Sequence, residues 1–247
     1  MIGNSEVGGA VIDFDPYNSR SFADPSHQLG SLYELNDYRA FRHGKVGAAN
    51  TSLGKLSLAP APVVNHVNMS VTASPAGVNS IVVTPGATAA AAGIYDEGVA
   101  FVTAGPGAGQ HYRVSHNPPI TASTAFTLAL SDTIQVALTA SSKVSLAHNP
   151  YNGGVEAAVQ TRRALGVPLI SLTAAFEGWY QSKGASAVLN QGTVAVGSLI
   201  TGSGSVAGAV AAVTGTYATD LVAVAVGQAL IIAGVDTEYR PMVLTID

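Results

Sequence analysis

"RVSHNP", residues 113–118, returns as "SLAHNP", residues 145–150, and each copy ends a run in which apolar and polar residues alternate. Period-two alternation is the pattern of a half-buried strand. Proline lacks the ladder donor and pushes the residue before it into extended or turn geometry, so His-Asn-Pro stops two strands by one local mechanism. The same texture extends through residues 63–154, where Val- and Thr-rich runs lie at 67–72, 80–84, 98–103, 110–116, 125–130 and 143–148, most of them separated by Gly or Pro. Short strands at this spacing predict a sandwich or a barrel. The alanines of "TPGATAAAAGIY", residues 84–95, allow one helical turn.

Upstream, "SLYELNDYRAFRHGK", residues 31–45, reads as a hairpin, with runs at 32–35 and 38–41 around an Asn36-Asp37 turn. "VGAANTSLGKLSLAP" then predicts a turn or a one-turn helix, and a strand through Leu56 and Leu58 that Pro60 and Pro62 close. Residues 1–30 keep neither period and carry isolated aromatics. They read as a frayed terminus or as an extended arm whose Phe14, Tyr17 and Phe22 fill pockets on a partner. Downstream of 155, β-branched alternation dominates, with Val222, Val224 and Val226 facing one way and Ala223 and Ala225 the other. Residues 156–164 have helical composition, but Gly153-Gly154 before them and Gly166 and Pro168 after them leave barely two turns. Residues 221–235 read as two strands around a turn. The expected chain is all-β: an extended N-terminal arm (1–30), a small barrel or sandwich base in two parts (31–62 and 155–247), and an inserted sandwich-like β module (63–154).

Charged residues make up 11% of the 247, against roughly 25% in an average soluble domain. Uncharged Ser, Thr and Ala faces lose little on desolvation, which suits a surface covered by neighbours as well as a plain β protein. The net charge is −4 and the 11 Lys and Arg are scattered, so no nucleic-acid partner is expected. The chain has no cysteine, which excludes disulfides and thiolate chemistry. "MIGNSEVGGA" lacks the basic and apolar regions of a signal peptide, no apolar stretch reaches the ~18 residues of a spanning helix, and no membrane partner is expected.

Reactive constellations are hard to find. "GPGAGQ", residues 105–110, lacks the Lys-Ser/Thr of a phosphate loop and leads into a strand, so it predicts a hairpin loop. "GSGSV", residues 202–206, lacks the helix that follows a nucleophile elbow. Asp96-Glu97 reads as a turn before Gly98. No acidic residue lies within three positions of His116 or His148, and only His66 and His43 stand as further conceivable ligands, so no metal is expected. No cofactor and no catalysis are expected either. The single tryptophan, Trp179 in "FEGWYQSKG", is read as structural core, ahead of a sugar platform shared with Tyr180.

Three stretches together resemble the tailed-bacteriophage capsid decoration proteins, also called head stabilisation or cement proteins. They are "LGSLYELNDYRAFRHGKVGAANTSLGKL" (29–56), "GVPLISLTAAFEGWYQSKGASAVLNQGTVAVGSLI" (166–200) and "VGQALIIAGVDTEYRPMVLTID" (226–247). The likeness covers about half the chain and rests on structural motifs; residues 63–154 look like an insertion. It implies a small β-barrel or sandwich, a homotrimer seated on the outside of an icosahedral head against the major capsid protein, and no catalysis. The expected location is the virion's outer capsid surface, with assembly in the host cytoplasm. The rival expectation is a host-facing adhesin or tail-associated protein gripping a glycan, with Tyr95, Tyr112 and Trp179 as its platform.

Overall fold

The computed structural model describes residues 6–7, 10–11, 14–18, 27–213, 225–231 and 236–247. Two compact units emerge: a base of Met1–Pro60 with Gly153–Asp247, and an inserted unit of Ala61–Asn152. The division falls two residues before the expected boundaries on each side. Strands β1 (Glu6–Val7) and β2 (Ala10–Val11) form a small ribbon, and β3 (Leu32–Glu34), β4 (Ala40–Val46) and β5 (Ser57–Leu58) follow. The insertion holds β6 (Met69–Val71), β7 (Ser80–Thr84), β8 (Val99–Ala104), β9 (His111–His116), β10 (Phe126–Leu130) and β11 (Lys143–Ala147). Next come β12 (Asn152–Glu156), β13 (Ala164–Pro168), β14 (Glu177–Leu189), β15 (Leu199–Gly202), β16 (Val210–Ala212), β17 (Gly227–Ala229) and β18 (Tyr239–Thr245). Among the described residues the only helix is the 3₁₀ turn Val64–His66, and the chain is all-β.

In the inserted unit the six strands close into a barrel, in the order β10-β7-β6-β11-β8-β9. They are the six runs marked by alternation, with ends displaced by at most two residues, and of the two architectures expected there the closed barrel is the one found. Alternate residues turn inward: Ile81 and Val83, Ala100 and Val102, Tyr112 and Val114, Leu128 and Leu130 all join one apolar core. Burying a side chain such as Ile81 contributes roughly 1.5–3 kcal/mol, and closure removes the exposed strand edges of an open sheet. Residues 92–97 are turns and Ala90 makes a bridge to Ile120, so the alanine run has no helical turn.

The base is assembled from distant segments. Its sheet runs β16-β15-β17-β18-β14-β13-β5-β12-β4-β3, and β14 also pairs with β4, so β4, β12, β5, β13 and β14 form a ring. The thirteen-residue β14 belongs to both parts: residues 177–183 pair with β4, and residues 183–189 pair with β18. Leu56, Leu58, Val167, Val188, Ile200, Met242 and Leu244 pack beneath it. Residues 156–164, helical only in composition, form no helix. Val155 pairs with Leu58, and Ala164 with Leu58 across the other side of β5, so sheet pairing overrides helical composition. Gly166 sits at φ 140° with its missing Cβ only 2.4 Å from the Gln181 carbonyl oxygen, a place only glycine fits. The alternating residues after it leave the ladder at Pro168, and Leu172 makes only an isolated bridge to Thr51. Val222, Ala223 and Val224, and most of the hairpin expected at 221–235, lie outside the described residues.

Candidate functional site

Trp179 and Tyr180 are consecutive in β14, so their side chains leave on opposite faces. Tyr180 packs with Val46 and Leu172, and Trp179 enters a cluster with Phe14, Tyr33 and Phe41. Phe14 lies parallel to Tyr33 at 3.9 Å between ring centroids and edge-on to Trp179 at 5.0 Å. His27 and His43 approach the indole at 5.2 and 5.1 Å, and the His43 Nε2 is 3.8 Å from the Glu177 carboxylate, both side chains being 4% exposed. This corrects the expectation for Phe14. Its ring is consumed by the base's own core, since stacking on Tyr33 buries it, and it is not free to anchor on a partner. Where the 1–30 segment is described at Phe14 and His27, both side chains are buried instead of extending away from the base.

Tyr17 differs. Its backbone N–H donates to the Asp15 carboxylate at 2.9 Å, and its side chain is 63% exposed only three residues beyond the Phe14 seat. Phe22 lies outside the described residues. A second exposed aromatic stands at the tip of the β3–β4 hairpin, where the Leu35 N–H donates to the Arg39 carbonyl at 2.8 Å. Asp37 accepts from the Arg39 N–H at 3.2 Å and from its Nε at 2.8 Å. Tyr38 closes this turn at φ 67° and is 83% exposed. A left-handed backbone costs a bulky residue about 1–2 kcal/mol that glycine or asparagine avoids. Leu32, on the outer side of β3, is exposed too, and β3 is the last strand of its sheet among the described residues. The sequence marked the Asn36-Asp37 turn but gave no signal that Tyr38 would carry the strained position.

In the barrel, the two His-Asn-Pro motifs converge on one loop. The Asn117 carboxamide accepts the Tyr95 N–H at 2.7 Å and donates to the carbonyls of Ala91 at 3.1 Å and Pro118 at 2.9 Å. His148, from the second motif, meets the Tyr95 ring edge-on at 4.6 Å. The Tyr95 hydroxyl is 2.6 Å from His66 Nδ1, whose Nε2 lies 3.0 Å from the Thr88 carbonyl oxygen. Burial pushes the Tyr95 phenol well up, and burial together with the nearby His66 pushes the His148 imidazole down. His116 turns aside, with Nδ1 3.1 Å from the Asp96 carboxylate. Strand ends that look alike in sequence therefore clamp Tyr95 from two sides, a partnership sequence reasoning missed. Among the described residues no three His, Asp or Glu gather in a manner that would hold a metal ion.

Other sequence motifs fall into loops. "GPGAGQ" joins β8 to β9, and "GSGSV" joins β15 to β16. Tyr95, Tyr112 and Trp179, expected as a glycan platform, are all buried, and none offers a ring face to a sugar. A cleft of about 460 Å³ in the base is lined by Gln160, Arg162, Arg163 and Thr245. Nearby, Asp247 takes Arg42 at 2.9 and 3.3 Å. Burial works to raise its carboxyl, but hydrogen bonds from Arg42 and Ser182 and the charges of Arg42 and Arg163 outweigh it and hold the group below the usual range. No protein-family model, no curated protein and no solved structure matches this chain.

Proposed function

We propose that the protein is a structural virion component that binds the outside of an icosahedral phage head across junctions of the major capsid protein and stabilises the shell. The observation that carries this reading is Tyr38, a large aromatic held 83% exposed at φ 67° on the tip of a hairpin at the end of a sheet. Strain placed under an exposed aromatic serves contact better than folding. Tyr17, pinned beside the Phe14 seat, supplies a second anchor, and the low charge of the chain lowers the cost of covering its surface. The resemblance of residues 29–56, 166–200 and 226–247 to capsid decoration proteins points the same way, and with it a trimeric arrangement on the assembled head.

A ligand that binds only the assembled shell stabilises it by RT ln(1 + [L]/Kd), and several contacts per molecule multiply through effective concentration. No bond in any substrate is made or broken. The test is co-sedimentation with emptied heads, followed by heating of the decorated particles. Tyr38→Asp and Tyr17→Asp are expected to weaken binding at least about tenfold each while leaving the fold intact. Undiminished binding by the double variant would remove the proposal.

A further inference from the structure

We propose that the outer face of the β15-β17-β18-β14 sheet is a self-association face that takes a second copy of this chain. Inner positions of these strands form the base core, so the alternate residues point outward. Register places Leu199 opposite Gln228, Gln228 opposite Val243 and Val243 opposite Ala185, giving one row across four strands. In the adjoining row the Leu230 N–H donates to the Pro241 carbonyl, and Pro241 pairs with Ala187. No charged side chain stands in either row. Exposed antiparallel faces normally carry polar and charged residues, so this panel is unusual for a surface left to water.

Charge and shape select the occupant. A chain of net charge −4 meets its own copy at least electrostatic cost where neither brings a charge. The first row also slopes in size, from Leu199 on β15 down to Ala185 on β14. A two-fold axis along the strands, between β17 and β18, lays β15 of one copy over β14 of the other. Leu199 of each copy then sits over Ala185 of its partner, and Gln228 over Val243, as an isologous contact requires. Four strands at ~4.8 Å spacing and about five residues of length give a patch on the order of 300 Å² per copy, well below the ~800 Å² of a standard interface. The association is therefore weak and concentration-dependent, and it is populated where copies are held close together.

The inference does not depend on the shell reading. Sedimentation equilibrium from about 10 µM to about 1 mM should show a monomer–dimer equilibrium with Kd on the order of 100 µM. Ala185→Glu and Leu199→Lys, both at exposed sites, should each weaken it at least tenfold with unchanged melting temperature. An equimolar mixture of the two should regain dimer, because the new charges face each other across the axis. A monomer throughout the range, dimerisation unaffected by either change, or a mixture that stays monomeric would overturn the proposal. So would a monomer whose Ala185→Glu variant loses only its binding to emptied heads, an outcome that would assign the face to the shell and leave the proposed function standing.

Discussion

The barrel and the base are both built from short antiparallel strands, but they gather their contacts over different distances. The barrel pairs strands drawn from residues 61–152 only, whereas in the base β4 pairs with β14 and Arg42 holds Asp247 across 205 positions. Local pairing lets each strand be recognised from its own alternation. Distant pairing lets a segment borrow its structure from a partner that the local sequence does not name.

The most damaging change that would test this contrast is Gly227→Ala. A Cβ there would meet the Val243 carbonyl oxygen at 2.0 Å, inside the β17–β18 ladder, so those strands must separate. The expected loss is about 4 kcal/mol or more, felt by the base. Trp179 is the single tryptophan and lies in the base, so its fluorescence reports that unit alone. The fluorescence transition should collapse while amide protection in β7–β11 persists. Simultaneous loss of both signals would show that the two units share one cooperative transition.

Phe14→Ala ranks next and sharpens the correction to the arm. Removing a buried ring stacked on Tyr33 costs about 3–5 kcal/mol when the cavity cannot collapse. An anchor directed only at a partner would leave the isolated chain's stability unchanged. Urea denaturation followed by Trp179 emission separates the two.

Legibility follows the same division. All six barrel strands and the Asn36-Asp37 turn were visible, because side-chain alternation and turn chemistry act within a few residues. Residues 156–164 read as helical from composition, and only Leu58, about a hundred positions away, explains why they flank β12 and β13 instead. β14 was visible only in fragments: residues 177–182 are buried on both faces, between the Phe14–Trp179 cluster and Tyr180's neighbours, so alternation vanishes where the strand is most central. For the candidate site, Tyr17 was marked by its isolation, whereas Tyr38 depends on a backbone angle, and the Tyr95 clamp on two motifs meeting in space.

Within the barrel, Tyr95→Phe keeps the ring and its edge contact with His148 but leaves His66 Nδ1 without the hydroxyl at 2.6 Å. An unpaired buried polar atom costs about 1–3 kcal/mol. Hydrogen exchange in β8 and β9 should accelerate, while Trp179 emission stays at its wild-type midpoint. A shifted fluorescence midpoint would mean that the buried polar knot of the barrel supports the base as well, and the contrast between the units would weaken.

The gentlest test is pH. Burial and the neighbouring His66 disfavour the protonated imidazole of His148 in the folded chain, and its Nε2 is buried without a hydrogen-bond partner. As pH falls below the unfolded value of about 6.5, the unfolded chain takes up this proton before the folded chain does. The contribution of His148 is therefore complete above that value and declines as pH drops towards the depressed folded value. His148→Gln removes the titration, so the difference in barrel stability between wild type and variant should change between about pH 7 and pH 5, by the uptake of a fraction of one proton, with the wild type losing ground at the acid end. A difference that stays flat, or one that grows in favour of the wild type on acidification, would mean that the folded barrel accommodates the charge. The His148 edge of the Tyr95 clamp would then be open to water.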